Sequence, residues 1–317
     1  MNQRHLPNPR RLVIGAGAHA ELAKRIRALR PDLEIRGNVY TAITSDDLEW
    51  ADTYMGFRRP PLPRTMGNVR WVHCTGAGVD SWLYPNELSR DILLTRTSES
   101  FGVYIAEWAL SRALAFRQQL LDLAECQRRH EWAPRDVGYV RGSRAIVVGT
   151  GDVGGHIARL FSALGAECVG VSRSGRARPE FSATHPVSAL PQIVGAADWL
   201  IVALPLTADS RGLIGRDILS ACNGAVLMNA GRGAVIDEFL VPEALERGWI
   251  SGALLDVFEI EPLPKESPLW DDKRVMISPH ISGLTTPEGA VDGFIECLEE
   301  IEAGRLPSRA VDRDRQY

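Results

Sequence analysis

Short apolar runs alternate with longer segments of helical periodicity along the whole chain. In the first hundred residues the runs are RLVIG, LEIRGNVY, DTYMGF, VRWVHC and DILLT. After residue 140 they are RAIVVG, AECVGV, ADWLIVALP, GAVLMNAG, GALLDVF and RVMISPH. Short apolar runs separated by helical segments are typical of the buried strands of a parallel sheet. The pattern therefore predicts an α/β protein with two series of strand–helix units.

A long helical segment separates the two series. Apolar residues recur at helical spacing from Val103 to Arg129, namely at Ala106, Ala109, Leu110, Ala113, Leu114, Leu120, Leu121 and Ala124. A stripe this wide is expected of one long core helix or of a helix that also contacts a second copy of the chain. We favour the second interpretation, which predicts a homodimer.

The 317 residues are enough for two domains. TSESFG at 97–102 and SPHISG at 278–283 are predicted to connect them. One domain would comprise residues 1–98 and 284–317, with a last helix around Pro287 to Gly304 returning to pack on it. Residues 99–283 would form the other.

Composition and charge exclude several classes of protein. The longest apolar run, WLIVALPL, is too short to cross a bilayer, and the N-terminal MNQRHLPNPRR lacks the apolar core of a signal peptide. A net charge of −4 gives no general attraction to nucleic acid or to membranes. The five cysteines are scattered and never lie at metal-ligand spacing. We therefore expect a cytoplasmic protein with reduced thiols, no metal site, and neither nucleic acid nor membrane as a partner.

Two stretches have the outline of a dinucleotide-binding turn, in which a strand runs through closely spaced small residues into a helix. They are LVIGAGAHAELAKRI at 12–26 and IVVGTGDVGGHIARL at 146–160. The small residues are Gly15, Gly17 and Ala20 in the first turn, and Gly149, Gly151 and Gly154 in the second.

The second turn is the better candidate for a cofactor site. Its glycines would let the backbone approach a pyrophosphate, and a helix beginning at about Val153 would point its N–H groups at that anion. In the first turn, His19 would place a bulky side chain near the phosphates. We interpret the first turn as a structural feature of a cofactor-free domain.

The end of the second strand after Gly149 predicts which dinucleotide binds. An acidic residue there normally holds the ribose 2′-hydroxyl, but this chain has Ser172 and Arg173, with Arg176 and Arg178 close by. Guanidinium groups bind phosphate well, and no carboxylate would repel it. A solvated basic loop is the alternative. The missing acid favours NADPH, with NADH also possible.

Three polar residues follow late strands: Arg232 in LMNAGRGAVIDE, Glu261 in LLDVFEIEPLP and His280 in MISPHISG. Residues just beyond the carboxyl ends of parallel strands line the ligand crevice of an open sheet. Each alone has an ordinary explanation, as a surface ion pair, a loop acid or a core histidine. Together, beside a nicotinamide, they match what the reduction of a 2-keto acid requires.

These motifs resemble the D-isomer-specific 2-hydroxyacid dehydrogenase family over most of the chain. GTGDVG, LPLTADSRGLI, NAGRGAVIDE, DVFEIEPLPKESPLW and SPHISG occur in the family's order, and PSRAVDRDRQY is similar to its tail. The resemblance implies two parallel-sheet domains, Rossmann-like and flavodoxin-like, with an active-site cleft between them.

The resemblance also implies a role for each of the three polar residues. His280 would protonate the carbonyl oxygen as hydride reaches carbon. Glu261 would hydrogen-bond the far ring nitrogen, orient the imidazole and favour its charged form. Arg232 would bind the carboxylate and carbonyl oxygens of the substrate.

The remaining predicted contacts are spread along the chain. The resemblance implies that Asp256 would hold the nicotinamide carboxamide. Thr207 would lie near the phosphates, and Asn229 would form a turn or contact the cofactor. The full set of predicted cofactor contacts is Gly149, Gly151, Asp152, Val153, Gly154, Ser172, Arg173, Ser174, Leu204, Pro205, Thr207, Ala230, Asp256 and Gly283.

The substrate carboxylate is assigned to CTGAGVD, residues 74–80. Glycines there would let successive N–H groups of Ala77, Gly78 and Val79 face one anion. A plain turn before a helix is the alternative. In the nearby loop MGFRRPPLP, one of Phe57, Arg58 and Arg59 would set the side-chain preference.

The leading function is NADPH-dependent reduction of small 2-keto acids, with glyoxylate and hydroxypyruvate as the first candidates because the family contains such reductases. A dehydrogenase for a larger 2-hydroxy acid, or a phosphoglycerate-like one, is an alternative within the same chemistry. The alternative outside the enzymes is a corepressor-like binding protein that senses dinucleotides. The family includes such proteins, and a fold does not fix a function.

Overall fold

The computed structural model describes residues 6–61, 65–84, 86–97 and 101–316 of the chain. The chain forms two compact units, Met1–Glu99 with Leu284–Tyr317 and Ser100–Gly283. The first predicted connection includes residues 98–100, which lie outside the described residues. The second predicted connection ends at Gly283, where the second unit also ends.

The first unit contains a parallel sheet with five described strands. They are β1 (Arg11–Gly15), β2 (Glu34–Asn38), β3 (Thr53–Met55), β4 (Trp71–Cys74) and β5 (Leu93–Arg96). Each overlaps one of the predicted apolar runs. Their order across the sheet, β2-β1-β3-β4-β5, is that of flavodoxin-like proteins, so this part of the fold prediction is confirmed.

Side chains alternate between the two faces of this sheet. Leu12 and Ile14 of β1 pack in one buried cluster, and Val13 packs in another around Trp82. The first cluster also holds helix α1 (His19–Leu29) and the predicted C-terminal helix, Pro287–Glu302. There the ring of Trp71 stacks on Phe294 with centroids 4.8 Å apart. Burial on both faces explains why the central strands are continuous apolar runs.

The second unit contains a parallel sheet of seven described strands. They are β6 (Arg144–Val148), β7 (Glu167–Ser172), β8 (Ala183–Pro186), β9 (Trp199–Val202), β10 (Ala225–Asn229), β11 (Ile250–Leu255) and β12 (Val275–Ile277). The order β12-β11-β10-β9-β6-β7-β8 is the Rossmann order with one added strand, which confirms the second predicted fold. Only β8 was not predicted, because this short edge strand, ATHP, is polar.

Helices connect the strands. The remaining α-helices are α2 (Ser45–Trp50), α3 (Asp80–Leu83), α4 (Phe101–Arg117), α5 (Leu120–Arg128), α6 (Asp152–Ala163), α7 (Leu190–Ile193), α8 (Arg216–Ala221), α9 (Val241–Glu246) and α10 (Pro287–Glu302). Short 3₁₀ helices occupy Tyr40–Ala42, Val187–Ala189, Val194–Ala196, Gly233–Val235, Glu238–Leu240 and Pro268–Trp270. In the described part of the chain, no helix is both long and apolar enough to span a bilayer.

The prediction of one helix from Val103 to Arg129 was wrong, because the structure divides this segment into α4 and α5. Gln119, between them, has a φ of +52°. The backbone N–H of Gly138 donates to the Arg117 carbonyl at 2.8 Å and so takes over an acceptor at the end of α4. The Gln119 side chain donates to the Asp136 carbonyl. A distant part of the chain therefore fixes the break, and the local sequence contains no proline or glycine to indicate it.

The apolar stripe also divides into two parts. Ala106, Ala109 and Ala113 are buried in α4, which packs against α6. Leu120 and Leu121 of α5 are 50% and 62% exposed. The first part is thus core, and the second is an unpaired apolar surface of the single chain.

Candidate active site

The second glycine turn has the geometry of a phosphate-binding turn. Gly149 has a φ of +111°, and a Cβ atom there would lie 2.4 Å from the carbonyl oxygen of Ala203. A Cβ on Gly154 would lie 1.8 Å from the Gly149 carbonyl, so only glycine permits this approach of α6 to the turn. Gly151 instead faces open space. The turn therefore leaves room at its middle glycine, at the beginning of a helix of twelve residues.

The N-terminus of α6 is open to an anion. Gly151 is its N-cap residue and supplies no side-chain acceptor to the first N–H groups, and Asp152 and Val153 follow as the first helical residues. The Asp152 carboxylate instead accepts a hydrogen bond of 3.0 Å from the N–H of Gly102. Unsatisfied N–H groups and the helix dipole both favour a phosphate at this position.

The first glycine turn is filled from within its own unit. A Cβ on Gly15 would lie 1.9 Å from the hydroxyl oxygen of Tyr54, so this side chain occupies the space over the turn. His19 packs against Gly37 and its Nδ1 lies 2.9 Å from the Ala16 carbonyl. Both contacts support the interpretation of this turn as a structural feature.

The loop after β7 presents arginine side chains to solvent. Ser172 Oγ accepts a hydrogen bond from the N–H of Gly175, which folds the loop back at the end of the strand. Arg173 and Ser174 are exposed, and within the described residues the side chain of Arg173 has no hydrogen-bond or ion-pair partner. Arg178 differs, because its Nε lies 3.7 Å from Oε2 of Glu180. Arg173 is thus available for an anionic ligand such as a phosphate.

Other predicted cofactor contacts lie at the carboxyl ends of the strands of the second unit. Leu204 and Pro205 follow β9, and the hydroxyl of Thr207 accepts a hydrogen bond from the N–H of Ser210 in the next turn. Ala230 follows β10 and is buried. A Cβ on Gly283 would touch Ile105 at 3.0 Å. These positions are compatible with contact to a cofactor, and for each of these residues that contact stays a prediction.

His280 and Glu261 form a hydrogen-bonded pair. Nδ1 of His280 lies 2.8 Å from Oε2 of Glu261, and Oε1 of the same carboxylate accepts the N–H of Phe258 at 3.1 Å. Both carboxylate oxygens are thus held, and the imidazole is oriented through one nitrogen. Within the described residues Nε2 of His280 has no hydrogen-bond partner. The free nitrogen is placed to give or take a proton.

The charge state of Glu261 follows from competing effects. Partial burial raises its pKa, but the hydrogen bond from His280 and the positive charges of His280 and Arg232 outweigh burial and leave the pKa below its ordinary value. Glu261 is therefore ionised at neutral pH. The effect of the Arg232 charge also places the arginine in the electrostatic environment of the pair.

Arg232 is positioned by the turn that follows β10. The side chain of Asn229, which is buried, donates to the Arg232 carbonyl at 3.0 Å and accepts from the N–H of Gly231 at 3.0 Å. Nη1 of Arg232 donates to the Gly231 carbonyl at 2.8 Å. Of the two roles considered for Asn229, the structure supports the structural turn.

Asp256 holds the segment that carries His280. Its carboxylate is buried and accepts hydrogen bonds from the hydroxyl of Ser278, at 2.5 Å, and from the N–H groups of Ile281, at 3.0 Å, and Ser282, at 2.8 Å. Its carbonyl accepts the N–H of His280 at 2.8 Å. His280 has a φ of +54°, a conformation that costs free energy and needs such fixing. The role shown for Asp256 is structural, and its contact with a nicotinamide stays a prediction.

The sequence patterns did not identify the partner that completes this network. Nε1 of Trp108, on α4, donates to Oγ of Ser278 at 2.9 Å, and both residues are buried. The two positions are 170 residues apart, so no local spacing could have revealed the contact. Trp108 therefore links the core helix to the segment of His280.

The loop predicted to bind a carboxylate lies in the first unit, after β4. Within the described residues, none of the N–H groups of Ala77, Gly78 and Val79 donates a hydrogen bond. Phe57 packs on Gly76, where a Cβ would lie 2.7 Å from its ring, and the Phe57 carbonyl accepts the Ser81 hydroxyl at 3.0 Å. Val79 is buried and Ala77 and Gly78 are partly buried. Three successive N–H groups without an acceptor favour binding of an anion such as a carboxylate.

The residues of the predicted site are divided between the two units. Arg232, Glu261 and His280 belong to the second unit with the glycine turn, whereas Ala77, Gly78 and Val79 belong to the first. Within the described residues, no group of three or more His, Cys, Asp and Glu side chains is arranged to hold a metal ion. Proton transfer beside a fixed positive charge is the chemistry available to the three residues of the second unit.

Comparison with known proteins identifies relatives along most of the chain. Residues 110–282 match the NAD binding domain of the D-isomer specific 2-hydroxyacid dehydrogenase family. Glyoxylate/hydroxypyruvate reductase A of Enterobacter sp. (strain 638) is 34% identical over 281 residues, which are 86% of this chain and 89% of that protein.

Comparison with solved structures identifies proteins of the same family. A D-isomer specific 2-hydroxyacid dehydrogenase family protein from Aeromonas salmonicida subsp. salmonicida A449 has a TM-score of 0.87 at 30% identity, covering 97% of this chain and 100% of that one. The NADPH-dependent glyoxylate/hydroxypyruvate reductase from Sinorhizobium meliloti, in complex with NADP and sulfate, has a TM-score of 0.85 at 26% identity, covering 97% and 100%. The predicted family is confirmed, and this chain belongs to the D-isomer specific 2-hydroxyacid dehydrogenases.

Proposed function

We propose that this protein reduces a small 2-keto acid to the D-2-hydroxy acid with NADPH, and that glyoxylate and hydroxypyruvate are its first candidate substrates. The observation that carries the proposal is the His280–Glu261 pair within the charge field of Arg232, in the unit that also holds the glycine turn. Similarity to glyoxylate/hydroxypyruvate reductase A narrows the substrate to small keto acids.

The residues of the second unit fit a dinucleotide. Gly151 leaves room for a pyrophosphate, and the N-terminus of α6 would hold it through N–H groups and the helix dipole. Exposed Arg173 would contact a 2′-phosphate, which supports a preference for NADPH while NADH stays usable. When bound, the dinucleotide supplies the hydride that the keto carbon accepts.

His280 would supply the proton in the same reaction. Its Nδ1 is held by ionised Glu261, so Nε2 would be the nitrogen that faces the substrate oxygen. Protonated His280 donates to that oxygen as negative charge develops on it, and in the reverse direction the neutral ring accepts the proton.

Arg232 would bind the carbonyl oxygen and carboxylate of the substrate and stabilise the developing charge. The N–H groups of Ala77, Gly78 and Val79 would hold the carboxylate as well. In this proposal Met1–Glu99 with Leu284–Tyr317 is the substrate domain, and Ser100–Gly283 is the dinucleotide-binding domain.

We also propose that the protein is a cytoplasmic homodimer. The exposed apolar residues Leu120 and Leu121 support a second copy as the partner of α5. All five cysteines are buried, and no disulfide joins any of them within the described residues, which supports a reducing compartment. A mass near twice 34.9 kDa by light scattering is expected, and the monomer mass would contradict the dimer.

The function is tested by following nicotinamide absorbance with NADPH and NADH in parallel. Glyoxylate, hydroxypyruvate, pyruvate, 2-ketobutyrate and phenylpyruvate are the panel of substrates. Oxidation of NADPH that is fastest with glyoxylate or hydroxypyruvate is expected. Fastest turnover of phenylpyruvate would instead favour a dehydrogenase for larger acids. Dinucleotide binding without turnover of any keto acid would favour the sensor function.

Arg173 provides a separate test of cofactor choice. Arg173→Ala is expected to weaken NADPH binding by about 10- to 100-fold and to change NADH binding little, because a charge-assisted bond to the 2′-phosphate is lost. Arg178→Ala is the matched control, since Arg178 lies in the same loop but contacts Glu180. Fluorescence titration with both dinucleotides measures the effect. An equal loss for both would remove Arg173 from 2′-phosphate recognition.

A further inference from the structure

Two neighbouring strands end beside the loop that is proposed to bind the substrate carboxylate. β4 ends at Cys74 and β5 at Arg96, and these two residues are paired in the parallel ladder. The N–H of Thr97 donates to the Cys74 carbonyl at 2.8 Å. The backbone of Arg96, a residue that no sequence motif identified, is thus fixed next to residues 75–79.

The side chain of Arg96 contacts this loop directly. Its Nη1 donates to the Ala77 carbonyl at 2.9 Å, and Sγ of Cys74 donates to the Gly78 carbonyl at 3.4 Å. In a trans peptide the C=O and the N–H of one unit point in opposite directions. Holding these two carbonyls therefore turns the N–H groups of Gly78 and Val79 away from Arg96 and Cys74.

Those N–H groups are among the three that have no acceptor within the described residues. A positive charge on the carbonyl side of a peptide polarises it and makes its N–H a stronger donor. Guanidinium keeps its charge at every working pH, and its planar shape fixes the direction of the bond. Arg96 therefore acts on both the orientation and the strength of the Gly78 donor.

We propose that Arg96 is a positioning residue for the substrate carboxylate. It orients the Ala77–Gly78 peptide toward the carboxylate and places a permanent positive charge behind that peptide. The proposal rests on the proposed function, and it extends the account from the reacting carbonyl to the other end of the substrate. The ligand class that it implies is a small carboxylate anion.

The test compares Arg96→Met and Arg96→Lys with a matched control, Arg70→Met. Arg70 lies on the same unit just before β4, and its Nη1 also donates to a backbone carbonyl, that of Val69, at 3.0 Å. Arg96→Met is expected to raise KM for glyoxylate by about 10- to 100-fold, with a much smaller change in kcat. Arg96→Lys restores part of the loss because it keeps the charge. The NADPH affinity of the Arg96 variants is expected to stay at the wild-type value. The KM of Arg70→Met for glyoxylate is also expected to stay at the wild-type value.

Binding of oxalate, a carboxylate that cannot be reduced, gives a readout independent of turnover. In calorimetry with NADPH present, Arg96→Met is expected to lose about 10- to 100-fold in oxalate affinity. Arg70→Met is expected to keep the wild-type oxalate affinity. If the role of Arg96 were merely structural, Arg96→Met would lower NADPH affinity or kcat together with oxalate affinity. Arg96→Lys would then not restore any of the lost affinity. Unchanged oxalate affinity in Arg96→Met, or no oxalate binding by the wild type, overturns the proposal. Oxalate binding by a wild type that reduces no keto acid overturns the proposed function instead.

Discussion

Replacing His280 with asparagine is expected to lower kcat for keto-acid reduction by about 10²- to 10⁴-fold, which is the usual contribution of a positioned general acid. Asparagine tolerates the positive φ of 54° at this position, so the backbone can keep its conformation, but its amide cannot deliver a proton. NADPH affinity should stay unchanged, since the predicted phosphate and ribose contacts lie on other loops. Stopped-flow absorbance and fluorescence titration measure the two quantities.

His130→Asn is the matched control for this experiment. His130 is exposed and has a φ of +56°, so the same substitution meets the same backbone conformation at a residue that is not part of the predicted site. The control should retain wild-type kcat. If His280→Asn also retained it, His280 would not be the proton donor, and another acid would have to be sought.

Replacing Glu261 with glutamine is expected to lower kcat by about 10²- to 10⁴-fold, as the loss of an orienting carboxylate does in other histidine pairs. A glutamine amide can donate to Nδ1 and so hold the imidazole in the tautomer that has no proton there. It also removes the carboxyl group whose protonation breaks the pair in the wild type. The variant should therefore lack the fall in reduction rate that the wild type shows as pH drops through the lowered pKa of Glu261.

The sign of this pH effect follows from the charge of Glu261. Its pKa lies below the ordinary value, so the carboxylate is ionised above that value and the pair is lost only as pH falls through the lowered pKa. Reduction in the wild type should thus hold at neutral pH and decline toward low pH, where Glu261 is protonated and the pair is lost. Glu259→Gln is the control, because Glu259 is a neighbouring acid that pairs with Arg211. An identical pH profile for Glu261→Gln and wild type would contradict the role of the pair.

Much of the fold could be predicted because parallel strands are buried on both faces. Runs such as RAIVVG are therefore apolar throughout, and glycines stand where a strand and a helix approach closely. The choice between the two glycine turns could also be made from His19 and from the residues after Gly149. Tyr54, which fills the first turn, also distinguishes the two turns, but no local sequence pattern identifies it.

What the sequence did not reveal depends on contacts between distant residues. The helix break at Gln119 is fixed by residues 136–138, and edge strand β8 carries no apolar signal. Trp108 and Asp256 meet at Ser278 through side chains from separate elements. Arg96 acts through a backbone carbonyl, which leaves no motif. Polar residues at strand ends could therefore be selected from the sequence as candidates, whereas Trp108 and Arg96 could not.

The most direct test of the central claim is to incubate hydroxypyruvate with the protein and NADPH that carries deuterium at the transferable C4 position. Mass spectrometry and chiral chromatography of the product then report both the hydride transfer and its stereochemistry. D-glycerate with one deuterium on C2 is the expected product. L-glycerate, unlabelled glycerate or unchanged hydroxypyruvate would contradict the account.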